Sequence, residues 1–136
     1  MPALSGSEVF VVDFRLPTEA EWVLAAGGEQ NERFAFGELA DLGDLPRYAN
    51  TSESGINRTT PVWMYPQGKS PLDVMDMSGN VWEWPSNYRD NDHDVLVLRG
   101  GSWDDFQDVA RVSYRFDLLP GLRGFYLGFR VAAFPS

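Results

Sequence analysis

Arg99-Gly100-Gly101-Ser102-Trp103 and Leu127-Gly128-Phe129-Arg130-Val131 bracket a segment with no hydrophobic period, broken by Pro120, Gly121 and Gly124. A small-residue-rich frame thus encloses a mixture of Asp, Phe, Leu and Tyr. The 13 glycines and 9 prolines point to a chain rich in turns and low in long regular elements. The contrast between frame and filling predicts a rigid scaffold that displays a changeable surface.

The chain of 136 residues suits one domain, spanning 1–136, which would bury roughly two-thirds of its unfolded surface. An apolar fraction of 43% separates it from disordered chains despite a net charge of −9. That acidity argues against nucleic acid and anionic membranes as partners. Of the 11 basic residues, Arg99, Arg111, Arg115 and Arg130 sit in motifs where structural pairing is expected. There is no cysteine, which excludes disulfides, thiolate metal sites and cysteine nucleophiles. No apolar run is long enough to span a membrane, no signal peptide is evident at the start, and the compartment stays open.

Val9-Phe10-Val11-Val12 reads as a strand. Thr18 is an N-cap with Glu21 completing a capping box; Trp22, Ala25 and Ala26 follow at helical spacing, and Gly27-Gly28 stops the helix. Residues 29–60 read as a long surface loop, residues 61–66 as a short extended segment between prolines, and residues 72–77 as one helical turn. Val81, Trp82 and Trp84 form a strand ended by Pro85; Val95-Leu96-Val97-Leu98 is a buried strand. Residues 109–114 fit either strand or short helix, and residues 129–134 close the fold as a strand. The sum is a loop-rich α+β domain with small, mostly antiparallel sheets.

Four motifs in order resemble the formylglycine-generating-enzyme (sulfatase-modifying factor) superfamily. They are Arg15-Leu16-Pro17-Thr18-Glu19-Ala20-Glu21-Trp22, Asp76-Met77-Ser78-Gly79-Asn80-Val81-Trp82-Glu83-Trp84, residues 98–103, and Gly128-Phe129-Arg130-Val131, together covering residues 15–131. The resemblance implies a C-type-lectin-like fold. It also implies what this chain lacks: the formylglycine-forming members use a pair of cysteines in the stretch matching residues 112–130, where none stands. Sulfoxide-synthase relatives bind iron through histidines of an added helical domain, whereas this sequence has a single His. The expectation is a minimal, non-catalytic member without cofactor or metal, its N-terminal third missing or reduced to the first strand.

Some relatives bind calcium around the Gly-Asn-Val-Trp-Glu-Trp motif, which would make Glu83 a ligand with backbone carbonyls. The residue types favour a buried Glu83 paired to Arg99 or Arg130, with Trp82 and Trp84 in the core. Gly100-Gly101 lacks a phosphate-loop lysine, so it reads as an unusual backbone path with Trp103 filling the core beneath. His93, between Asp92 and Asp94, reads as a solvated connector, and no nucleophile elbow accompanies it. The pairs Asp104-Asp105 and Asp90-Asp92 read as acidic surface loops.

The strongest functional signal is the filling. Relatives with this frame often carry small polar residues there. This chain has Asp104, Asp105, Phe106, Asp108, Phe116, Asp117, Leu118, Leu119, Leu122, Phe125 and Tyr126. Each type is reached from an AAC codon by changing adenines alone, and none of Lys, Glu, Gln, Met or Trp occurs at these positions. The pattern resembles the variable proteins of diversity-generating retroelements, whose exposed side chains on a C-type-lectin fold bind diverse targets. Apolar side chains on turn-rich sequence, rimmed by Asp, form a contact patch. These residues are therefore the expected ligand-binding set within a variable segment of 104–126. A protein or other macromolecule is the expected partner, and a homo-oligomer or a complementing subunit fits as well. The alternatives are a metal-dependent enzyme of the superfamily or a fixed accessory subunit.

Overall fold

A computed structural model of the chain describes residues 9, 11–28, 31, 33–87, 94–119 and 121–135. His93 and the Asp90-Asp92 pair lie outside them. Among the described residues the sole α-helix is α1, Glu19–Ala25, and no helix is long and apolar enough to cross a membrane. It begins as the sequence dictates: Thr18 Oγ1 accepts from the Glu21 amide at 3.1 Å and Glu21 Oε1 accepts from the Thr18 amide at 2.9 Å. Arg15 grips the same carboxylate through both terminal nitrogens, at 2.8 and 3.0 Å. The apolar side of α1, Trp22, Val23 and Ala26, packs on Ala35, Met77 and Val112.

Among the described residues six short strands form three two-stranded ladders. β1 (Val12–Arg15) pairs antiparallel with β6 (Ala132–Pro135), joining the two ends of the described chain. β2 (Trp82–Glu83) runs parallel to β5 (Leu127–Gly128), and β3 (Leu96–Leu98) runs antiparallel to β4 (Phe116–Leu118). A bridge between Glu83 and Arg99 connects the second and third ladders, so β5, β2, β3 and β4 share one hydrogen-bonded spine.

Four expectations change. The first strand lies later than residues 9–12, because the register with β6 starts at Val12 and Arg15 is held over the Phe134 ring at 3.7 Å. The described residues of the 29–60 stretch are no simple surface loop. Short 3-10 turns at Leu42–Arg47 and Ser52–Ser54 carry Leu45 and Thr51 inward, and Phe34, Ala35, Ala49 and Asn50 are buried beside them. Irregular turns bury such residues without a period to announce them. Residues 61–66 turn rather than extend, and no helix forms at 72–77, where Asp73 and Asp76 adopt left-handed φ values of 63° and 57°. The ambiguous stretch at 109–114 begins inside a 3-10 turn, Gln107–Ala110.

The frame motifs lock together through backbone contacts. The Gly79 amide donates to the Gly100 carbonyl at 2.6 Å, Asn80 to Asn50 at 2.8 Å, and Trp103 to Asn80 at 2.9 Å. Gly79 has φ 97°, and a Cβ there would stand 2.6 Å from the Asn50 carbonyl oxygen. Gly101, at φ 72°, would bring one to 2.9 Å from Ala110 Cα. These glycines permit an approach no other residue allows.

Candidate functional site

Four structural arginines were expected to be paired, and the structure gives each a partner. Glu19 bridges Arg99 Nε at 3.3 Å and Arg115 Nη2 at 3.0 Å, and Arg99 Nη1 also reaches the Val112 carbonyl at 2.7 Å. Arg111 lies over the Phe34 ring at 5.5 Å. Arg130 Nε bonds Glu83 Oε1 and its Nη2 bonds Glu83 Oε2, while Trp22 Nε1 donates to Glu83 Oε1 at 3.2 Å. Arg130 Nη2 also takes the Met75 and Asp76 carbonyls, at 3.0 and 3.1 Å.

Glu83 is therefore the buried, paired carboxylate the residue types favoured. A hard cation needs unengaged oxygens, and here a guanidinium already holds both Glu83 oxygens and two neighbouring carbonyls. Asp76 Oδ2 is buried without a hydrogen bond, but one such oxygen is no cage. Among the described residues no group of three or more His, Cys, Asp or Glu is placed to hold a metal ion. Glu83 does not fit the calcium role in this chain. Desolvation raises the Asp76 carboxyl to about 7, with Arg130 opposing and Glu83 adding to the shift.

The expected ligand set divides in two. Asp104, Phe106, Asp108, Phe116, Asp117, Leu119, Leu122, Phe125 and Tyr126 are exposed, with Phe125 reaching 90% and Phe106 72%. Leu118 is half-buried. Asp105 belongs to the frame as much as to the surface: Oδ2 accepts from Trp82 Nε1 at 2.7 Å and from the Ser102 hydroxyl, and its carbonyl accepts from the Ser52 amide at 2.9 Å. Asp105 is half-buried, so the acidic-loop reading holds for Asp104 and not for it.

Two open clefts flank this surface. One, of about 300 Å³, is lined by Trp82, Asp104, Asp105, Val109, Tyr114, Phe116 and Tyr126. The other, of about 320 Å³, is lined by Asn57, Arg58, Thr59, Trp103 and Phe125. Consecutive residues Phe125 and Tyr126 thus wall different clefts. Trp103 does not fill the core as expected; it is half-buried, and its Nε1 donates to the Phe125 carbonyl at 2.9 Å, holding that loop in place. Trp84 is likewise only half-buried. Sequence reasoning missed Asn57, Arg58 and Thr59, which come from a distant turn with no local motif. A second apolar face carries exposed Val62, Trp63 and Phe129, which line a cavity of about 340 Å³.

A family model described as the Sulfatase-modifying factor enzyme 1-like domain matches residues 3–134. The chain belongs to this family. Among its relatives is the bovine (Bos taurus) protein named inactive C-alpha-formylglycine-generating enzyme 2, 36% identical over 133 residues, covering 88% of this chain and 44% of the relative. The formylglycine-generating enzyme of Streptomyces coelicolor is 35% identical over 147 residues, covering 87% of this chain and 46% of the enzyme. Among solved structures, Treponema denticola variable protein 1 superposes with a TM-score of 0.68 at 32% identity, over 88% of this chain and 47% of that one. The chain spans less than half the length of these relatives. Its relatives by sequence are thus named as an enzyme and as inactive, a structural neighbour is named as variable, and this chain has the loop-rich, C-type-lectin-like α+β fold.

Proposed function

We propose that the chain is a non-catalytic binding module, diversified by a retroelement, that recognises a protein or other macromolecule through residues 104–126. The observation that carries this reading is the set of large apolar side chains standing in solvent on loops around two clefts. Phe106, Leu119, Leu122 and Phe125 are each at least half exposed, while the frame beneath them is joined by backbone hydrogen bonds. A lone chain keeps such a patch when a partner covers it. Rigid aromatic side chains supply contact area at small entropic cost, as paratopes do. Likeness to a variable protein supports the same reading. The absence of cysteine, together with the engagement of Glu83 by Arg130, supports the non-catalytic part.

Sequencing the gene and its downstream DNA across sibling isolates tests it. Variation confined to codons between Trp103 and Gly128, beside an adenine-bearing template copy, is the expected result. A uniform segment without a template rejects diversification.

A second reading has its own observation. Exposed Val62, Trp63 and Phe129 make an apolar face apart from the variable segment. That face suits an accessory subunit covered by a partner or a second copy. Solution mass separates the two, since the accessory reading requires a stoichiometric complex.

A further inference from the structure

We infer that the cleft walled by Tyr126 receives a cationic side chain, a lysine or arginine of a protein partner. This inference rests on the binding-module reading and names the chemistry of one of its subsites. Four of the residues lining the cleft are aromatic: Trp82, Tyr114, Phe116 and Tyr126. The Trp82 ring lies 6.0 Å from Tyr114 and 5.2 Å from Phe116, tilted by 43° and 33°, so the rings form angled walls rather than a parallel stack. Ring faces carry the negative part of the aromatic quadrupole and attract a cation placed against them. The positive edge of the Trp82 indole is already taken, because Nε1 donates to Asp105 Oδ2 at 2.7 Å.

Charge narrows the occupant further. The cleft is lined by two carboxylates, Asp104 and Asp105, and, among the described residues, by no basic one, whereas its neighbour across the Phe125-Tyr126 ridge is lined by Arg58. An anionic occupant would meet two like charges, and a neutral apolar one would desolvate Asp104 without a counter-charge. A cation satisfies the ring faces and the carboxylates together. The chain's net charge of −9 draws a basic partner toward it. Trp82, Val109 and Tyr114 lie outside the interchangeable set, whereas Asp104, Phe116 and Tyr126 lie within it. The cleft therefore has a constant aromatic floor and a wall that sets charge preference.

The test uses the full chain and three probes of one shape: tetramethylammonium chloride, tert-butanol and sodium pivalate. Each is titrated while the Trp82 indole and Tyr126 amide resonances are followed. The expected result is saturable shifts with tetramethylammonium, weaker with tert-butanol and absent with pivalate. Asp104→Asn and, independently, Tyr126→Leu should each weaken tetramethylammonium binding about fivefold, the scale of a partly desolvated cation–π contact. Added salt should weaken binding of the cation more than that of the alcohol. Tert-butanol binding as tightly as the cation overturns the inference by making the cleft an apolar subsite. So does the lack of a saturable shift with any probe. Neither result bears on diversification, which the codon survey decides separately.

Discussion

The Trp82 indole donates to Asp105 Oδ2 at 2.7 Å, tying a buried frame residue to a loop whose neighbouring side chains, Asp104 and Phe106, face solvent. Asp105→Ala should therefore destabilise the protein by about 1–3 kcal/mol, because it strands a buried indole N–H and the Ser102 hydroxyl. Asp104→Ala, one residue earlier and exposed, should stay within about 0.5 kcal/mol of the parent. Urea unfolding of both variants checks the contrast. Equal losses would mean that Asp105 is not part of the frame.

Arg130→Met should cost about 3–5 kcal/mol, since it leaves the Glu83 carboxylate buried with only the Trp22 indole as donor. Adding Glu83→Gln should recover a substantial part of the loss by removing the unpaired charge. Thermal unfolding of the single and double variants reads this. A double variant worse than the single would contradict the pairing.

Asp76 imposes a pH dependence of definite sign. Its carboxyl rises from 3.8 in the open chain to about 7 in the fold, chiefly through desolvation, so the folded state binds more protons between those values. Its contribution to stability is complete below about 3.8 and is lost as pH rises toward 7. Glu21 acts oppositely: its bonds to Arg15 and Thr18 lower it to about 2, so its stabilisation, present above 4.5, is lost as pH falls toward 2. Asp76→Asn should flatten the decline on the neutral side and leave the acid limb unchanged. Unfolding midpoints measured from pH 3 to 8 give both slopes.

How far the sequence disclosed this architecture depended on whether a feature was local. The capping box at Thr18 and Glu21 was legible because its partners lie within one turn. The Arg99-Gly100-Gly101 path was legible because only glycine tolerates it. The inward packing of Phe34, Leu45 and Asn50 was not, since irregular turns bury residues without a repeating spacing. The same limit hid Arg58 and the internal bonds of Asp105. Trp103 and Phe125 lie far along the chain from Arg58, as Trp82 and Ser52 do from Asp105, and no local spacing signals these contacts.

Gly79→Ala should lower stability by at least about 2 kcal/mol, because a left-handed φ of 97° coincides with a backbone oxygen 2.6 Å from the new Cβ. Gly121→Ala, at φ 87° with open space around it, should cost only about 1 kcal/mol. Chemical denaturation of the pair separates steric approach from backbone strain.

On the proposed reading a fixed frame carries freely exchangeable residues. A protease-resistance screen of two surface-displayed libraries checks this. One library randomises Asp104, Phe106, Asp108, Leu119, Leu122, Phe125 and Tyr126; the other randomises Gly79, Gly101, Ser102, Asp105 and Arg130. Most members of the first library should resist proteolysis like the parent, and the second should be almost wholly degraded. Comparable degradation of both would show that the exposed face itself holds the fold together, and the frame-and-face reading would fail.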